Sequence, residues 1–444
     1  MRVRTVIASP ACVAALWSAC VAGDFSALWN DPSNSFDAPV PGFIGPHGPG
    51  KARLDTGQTD GFGAPVFENP ENYRNPLFFG WAANVVDYLR ADGNLSFADP
   101  EYALGPVTGD NFDVVSLGDL NAQEIMDEYE PGQITIELGA PVSDLSGADF
   151  VVFENGHVAQ WDGGGAGAGS IFAELAYVEV STDGENFVRF PSTSLNPPLA
   201  GLPSFGTQYA SLDATNVHNL AGKHVNAYGD CWGTPFDLAD VGLTGVTHIR
   251  IVDIPGNGSF VDKDGRPIYD AWKTLGSGGF DLEAVGVVST PVSFDTWPPL
   301  AELDPAERAA DDDPDSDGLC NLLEYAFGLL PWRADAGGAV GFERQPGGLP
   351  SISFPRDERA SDLSYQIEAA SSPLGPWTTI ARSTSGGPVL AEAGVPGVIS
   401  DSSASDLASI GVLRRVTVVD SVPSPGRGFY RVKVSRNSAS MSPP

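Results

Sequence analysis

Glu174-Leu-Ala-Tyr-Val-Glu-Val-Ser-Thr-Asp-Gly-Glu-Asn-Phe187 is the stretch from which the fold of this 444-residue chain is read. Ala176 to Ser181 has the β-branched and aromatic content of a strand, and Phe187 to Phe190 is its returning partner. Between them, Thr182-Asp-Gly-Glu-Asn186 forms a turn whose Asp-Gly step supplies the positive φ a tight hairpin needs. Outward from the hairpin the period stays at two. Ile134-Thr-Ile-Glu-Leu138 alternates, and Phe150-Val-Val-Phe153 is a fully apolar strand ending in Glu154-Asn155-Gly156. Thr247 to Asp253 (THIRIVD) and Ala284 to Val288 (AVGVV) complete the set. Strands that follow one another without intervening helices predict an all-β fold, with antiparallel sheets packed as a sandwich or jelly roll. The apolar run FFGWAANVVDYLR, Phe78 to Arg90, can be read as a helix, although such runs are ambiguous in period. Residues 24–75, rich in Pro, Gly, Asn and Asp, read as extended surface chain with little regular structure.

Composition sets the compartment and excludes some partners. The chain carries 57 acidic and 24 basic residues, for a formal net charge of −33. Residues 334–444 are balanced, so the excess lies in the preceding part, which would repel nucleic acid and anionic membranes. Residues 1–22 read as a secretory signal, with Arg2 and Arg4, an apolar run from Val6 to Leu16, and small residues ending at Ala22. A lipoprotein alternative would acylate Cys20. No other stretch is long and apolar enough to span a bilayer. After the signal, Cys231 and Cys320 remain. They either pair, tying the large domain to the loop described next, or stand as two separate buried thiols.

Asp313-Pro-Asp-Ser-Asp-Gly-Leu-Cys-Asn-Leu-Leu-Glu324 has the spacing of a calcium loop. Asp313, Asp315 and Asp317 stand at positions 1, 3 and 5, Gly318 at 6, the Leu319 carbonyl at 7, Asn321 at 9 and Glu324 at 12. Alternate side chains point inward, the glycine takes the sharp turn, and the last Glu closes the shell with two oxygens. Leu322 to Leu330 is apolar enough for a short buried helix stopped by Pro331. A full EF-hand has a helix before the loop, and here only Pro305 to Ala310 could supply one. The loop-then-helix form, with Glu324-Tyr325, Gly328 and Pro331 behind it, resembles the calcium repeats of dockerins and thrombospondin type 3 repeats. That resemblance implies a structural Ca2+ at a domain junction.

A second resemblance covers residues from about 77 to 290. The ordered segments VVSLGDL (114–120), DFVVFENG (149–156), ELAYVEVSTDGENF (174–187), GTPFDLADVG (233–242), VTHIRIVD (246–253) and GGFDLEAVGVV (278–288) are similar to a group of exported bacterial cell-surface proteins. The hairpin and the last strand are also similar to galactose-binding-like jelly rolls, such as discoidin domains and carbohydrate-binding modules. This second likeness implies a ligand-binding rather than a catalytic fold. Short strands over 345–438 look like a small fibronectin- or immunoglobulin-like tail domain. The expected organisation is therefore a signal over 1–22, an irregular segment over 23–76, a jelly-roll-like recognition domain over 77–290, a calcium loop and helix over 304–331, and a small β domain over 345–438.

Chemistry is sought in three places. Asp262, Asp264 and Asp270, with Gly265, form a partial second calcium pattern that lacks a terminal Glu. Asp281 and Glu283 alternate with apolar residues in the last strand, and Glu154 and Asn155 end another; such groups can converge on a metal at a sandwich rim. Trp161, beside the Gly163 to Gly169 loop, and Tyr228, Trp232, Tyr269 and Trp272 are aromatic candidates for stacking on sugar faces. The alternative is that each ring packs over the sandwich edge. None of the five histidines lies in a recognisable metal pair, no nucleophile elbow occurs, and His224 lies on a loop from which it could face a ligand. The expected function is secreted or cell-surface, calcium-binding, non-catalytic recognition of an extracellular glycan or cell-surface component. A structural matrix protein and a calcium-dependent polysaccharide-degrading enzyme are the alternatives.

Overall fold

The computed structural model describes residues 38–59, 61, 65–158, 171–196, 212, 214–272, 278–334, 337, 339–393, 397–403, 412–421 and 428–437. The signal segment, Cys20 and Trp161 lie outside them. Two compact units emerge. The first takes the chain up to Asn75, Trp81–Gly139 and Val151–Gly286, and the second takes Pro76–Gly80, Ala140–Phe150 and everything from Val287. The architecture is all-β, with curled antiparallel sheets in a sandwich-like arrangement. Among the described residues no helix is long and apolar enough to cross a membrane.

The first unit is built on β1 (Val40–Pro41), β2 (Gly80–Leu89), β3 (Val115–Ser116), β4 (Gln133–Ser143), β5 (Phe150–Glu154), β6 (Ala176–Ser181), β7 (Val188–Arg189), β8 (Trp232–Phe236), β9 (Gly245–Asp253) and β10 (Asp281–Val287). Their order is β1-β8-β5-β10-β2-β4-β9-β6-β7, with β3 beside β10. The hairpin read from sequence is there, with Glu179 opposite Arg189 and Val180 opposite Val188. Gly184 takes φ +77°, and the Asp183 carboxylate accepts the N–H groups of Glu185 and Asn186, so the turn is held by its own side chain. On its other side β6 pairs with β9, from Ala176 opposite Asp253 to Ser181 opposite His248. Every residue of β6 is buried, and the one carboxylate among them, Glu179, is paired with Arg189 at 2.8 Å and Arg250 at 2.5 Å. A small core of Leu175, Tyr177, Val217, Leu220, Val252, Ile254 and Ile268 packs nearby.

Two sequence expectations change. The run Phe78 to Arg90 is strand, not helix, over Gly80–Leu89. Its backbone is satisfied by β10 and β4 on either side, and two register irregularities against β4 absorb Ala83 and Val86. The 24–75 segment is more than surface chain. Val40 is fully buried and pairs with Gly233, and the Gly42 N–H donates to the Cys231 carbonyl at 3.0 Å. Gly50, at φ +73°, passes so close to Trp232 that a Cβ would overlap the indole.

The second unit pairs β11 (Gly341–Arg344), β12 (Pro350–Asp357), β13 (Leu363–Ala370), β14 (Thr378–Thr384), β15 (Leu390–Ala391), β16 (Gly397–Ser403), β17 (Leu413–Asp420) and β18 (Phe429–Arg436). They form two four-stranded sheets, β11-β12-β17-β16 and β15-β14-β13-β18. Phe354, Tyr365, Ile367, Ile380, Val416 and Val418 share one core with Phe294, Trp297, Tyr325 and Phe327. The loop and helix expected as a separate junction over 304–331 are thus part of this unit's core. The Tyr365 hydroxyl donates to the Ala326 carbonyl at 2.7 Å, and the Tyr325 hydroxyl lies 2.8 Å from an Asp362 carboxylate oxygen.

Candidate functional site

Three arrangements carry chemistry, one in the second unit and two in the first. In the second unit the segment 313–324 closes into a loop. Asp313, Asp315 and Asp317 each bring a carboxylate oxygen within 4.8 Å of the others. The backbone sets this geometry. The Asp317 N–H donates to Asp313 at 3.2 Å and Asp315 at 3.1 Å, and the Gly318 N–H donates to Asp313 at 3.1 Å. Gly318 has φ +96° and Ser316 φ +61°, which is the sharp turn the spacing anticipates. The helix α1 (Asn321–Phe327) follows at once and ends at Gly328 in the left-handed conformation. Asn321 spends its two amide protons on the carbonyls of Glu307 and Ala309, both at 2.8 Å, which leaves its buried Oδ1 without a hydrogen-bond partner. Asp315 Oδ2 is likewise buried without one. Glu324 is 0% exposed. Burial first, then the charges of Asp317 and Asp313, raise the Asp315 pKa. These oxygen donors suit a hard divalent ion: Asp313, Asp315, Asp317, Asn321 and Glu324 by side chain, with Leu319 by its carbonyl.

The partial pattern at 262–270 does not gather, and here the sequence expectation is corrected. Asp262 is already saturated, accepting the N–H groups of Ser194, Asp264 and Arg266 and the Arg266 guanidinium at 3.0 Å. Asp264 is paired with Lys263 and Arg266. Asp270 faces elsewhere, accepting the Leu175 N–H at 2.7 Å. The Asp-Gly turn between two short strands explains the first two without a metal.

The aromatic candidates also divide. Trp232 is 6% exposed within β8 and is a core residue, not a platform. The Trp272 indole N–H donates to the Leu120 carbonyl at 3.1 Å, and Tyr269 is half-buried on a short strand. His224 is buried. Tyr228, with φ +53°, is half-buried and stacks on Phe67 at 6.4 Å while meeting His157 edge-on at 5.3 Å. His157 in turn stacks on Phe172 at 4.9 Å, and burial lowers its pKa to about 4, so the imidazole is neutral at ordinary pH. Phe67 and His157 were missed in the sequence because neither lies in an aromatic-rich stretch. The result is a ledge of half-exposed rings drawn from three separate segments.

The third arrangement is a group of buried carboxylates in the first unit. Asp281 opens β10, Asp253 closes β9 and Glu154 closes β5. The Asn155 amide donates to Asp281 at 3.2 Å, which links the end of β5 to the start of β10. The Phe280 N–H donates to Asp253 at 2.8 Å and the Gly156 N–H to Glu154 at 2.7 Å. Glu283, two residues along β10, accepts the N–H groups of Thr108 and Gly109 and the Asn226 amide. Burial pushes Glu283 up to about 7 and raises Glu154, Asp253, Asp270 and Asp281, with mutual repulsion adding to it: Asp281 on Glu154 and Asp253, and Asp253 on Asp270. Asp253 escaped the sequence reading, although a charge closing an apolar strand such as THIRIVD was the available signal.

Cys231 and Cys320 are both free thiols. Against known proteins, the chain matches no family model and no curated protein.

Proposed function

We propose that the chain is an exported, calcium-stabilised, non-catalytic recognition protein whose first unit binds an extracellular glycan. The observation that carries the calcium part is the 313–324 loop. Three carboxylate oxygens lie within 4.8 Å, and buried, unpartnered oxygens at Asp315 and Asn321 stand beside them. Leaving such groups uncompensated is costly, and a divalent ion satisfies them together. Asp313, Asp315, Asp317, Asn321, Glu324 and the Leu319 carbonyl would hold it. Because α1 is built into the second unit's core, the ion's role there is to fix a packed element. The glycan part is supported by the Phe67–Tyr228–His157 ledge, since half-exposed rings offer apolar faces on which sugar rings stack. A neutral His157 beside it can donate or accept a hydrogen bond from a hydroxyl.

The test applies the protein with Ca2+ to a panel of soluble and insoluble polysaccharides, scoring retention and the appearance of new sugar ends. Retention without cleavage, weakened by Phe67→Ala with Tyr228→Ala while the melt is unchanged, is the expected result. No retention on any member would sink the recognition reading, and new sugar ends would replace it with the enzymatic one.

A further inference from the structure

Some buried carboxylates of the chain have a cation bonded to them: Arg189 and Arg250 at Glu179, and Arg359 at Asp357. The strand-end group of the first unit departs from this pattern. Glu154 is 2% exposed, Asp253 0% and Asp281 6%, and among the described residues no Lys or Arg is bonded to any of them. Arg90, whose charge reaches Asp281, bonds Asp92 at 2.5 Å and the Ser96 carbonyl at 2.6 Å, and its buried Nη2 makes no hydrogen bond to Asp281. Each of the three uses one oxygen on a backbone or amide N–H. The other oxygen, Glu154 Oε1, Asp253 Oδ2 or Asp281 Oδ1, is buried without a hydrogen-bond partner. A neutral group beside them is in the same condition. Asn226 is fully buried, donates its N–H to the Gly156 carbonyl and its amide to Glu283, and leaves Oδ1 without a partner.

We propose that Glu154, Asp253 and Asp281 are ligands of a divalent cation held inside the first unit, separate from the 313–324 loop. The donors are all hard oxygens, which select Ca2+ over the softer transition metals. The N–H groups that hold the first oxygen of each carboxylate also orient the second, as outer-shell donors do in metal sites. Among the described residues no three of these oxygens lie within the 4.8 Å that the loop trio meets, so coordination draws together carboxylates that otherwise repel. Three strands, β5, β9 and β10, would be tied at their ends by one ion.

The experiment measures Ca2+ per folded chain by equilibrium dialysis and metal analysis, in the full-length protein and three variants. Asp313→Ala with Asp317→Ala disables the loop, and this variant is expected to keep one ion fewer than the parent but not to reach zero. Asp253→Asn with Asp281→Asn is also expected to lose one ion, and Glu154→Gln to weaken one site about tenfold or more. The last variant leaves an oxygen for the Gly156 N–H, so it reports on binding should the double variant fail to fold. A loop-disabled chain that binds no Ca2+ overturns the proposal while leaving the loop reading intact. A loop-disabled chain that binds as much as the parent refutes the loop instead. Unchanged binding in both the double variant and Glu154→Gln overturns the proposal as well.

Discussion

Arg359→Ala tests how the second unit is held together. The guanidinium is buried, with Nε 2.9 Å from Asp357 Oδ1 and Nη2 2.7 Å from Asp357 Oδ2. Nη1 donates to the Leu77 carbonyl at 2.6 Å, and the group stacks 3.5 Å over the Phe79 ring. One side chain therefore pins the 76–80 segment to the strand end at Asp357. Truncation leaves Asp357 Oδ2 buried without its cation and the Leu77 carbonyl without its donor. Removing one partner of a buried ion pair costs roughly 3–5 kcal/mol. The lost cation–π contact, about 0.5–2 kcal/mol, falls within that spread. Urea unfolding should show the destabilisation as a lower midpoint with an unchanged slope. Replacing both partners, Asp357→Leu with Arg359→Met, should recover most of the loss, because the penalty is the stranded charge rather than the missing attraction. A cost for Arg359→Ala below about 1 kcal/mol would refute this reasoning, since only a solvated pair is worth that little.

Other consequences are as accessible. The lowered His157 pKa means its share of stability is complete above its ordinary value near 6.5 and lost as pH falls toward about 4. Wild type and His157→Phe should therefore diverge in stability by up to ~3 kcal/mol across that window, and parallel pH profiles would contradict it. Cys231 is fully buried, and burial lifts its thiol well above the usual range, so native alkylation followed by peptide mapping should label Cys320 and spare Cys231. Gly50→Ala should destabilise the first unit by roughly 1–3 kcal/mol through overlap with Trp232 and a strained positive φ; an unchanged melt would mean the segment does not pack there.

The sequence carried the strand pattern well because local chemistry fixed it. The Asp-Gly turn at 183–184, the alternation at 134–138 and the apolar run at 150–153 each have one reading in which their side chains and φ angles agree. Gly80–Leu89 was less legible, because a strand whose register against β4 shifts twice needs no strict alternation. Val40–Pro41 was hidden for another reason: a two-residue edge strand draws its stability from Gly233 and Cys231, which lie far away in the chain. The same contrast separates the sites. The 313–324 loop is local, so spacing alone assembled it. Glu154, Asp253 and Asp281 come from three strands, and Asp262 differs from Asp270 only in what the fold places beside each.

The most direct measurement is hydrogen exchange of the 313–327 peptide in chelated and Ca2+-loaded protein. The loop carboxylates and the α1 amides lie on one continuous segment, so an ion at 313–324 should slow exchange through Phe327. The gain should vanish in Asp313→Ala with Glu324→Ala, whatever Ca2+ does in the first unit. Identical uptake with and without Ca2+ in the wild-type chain would contradict the calcium loop on which the account rests.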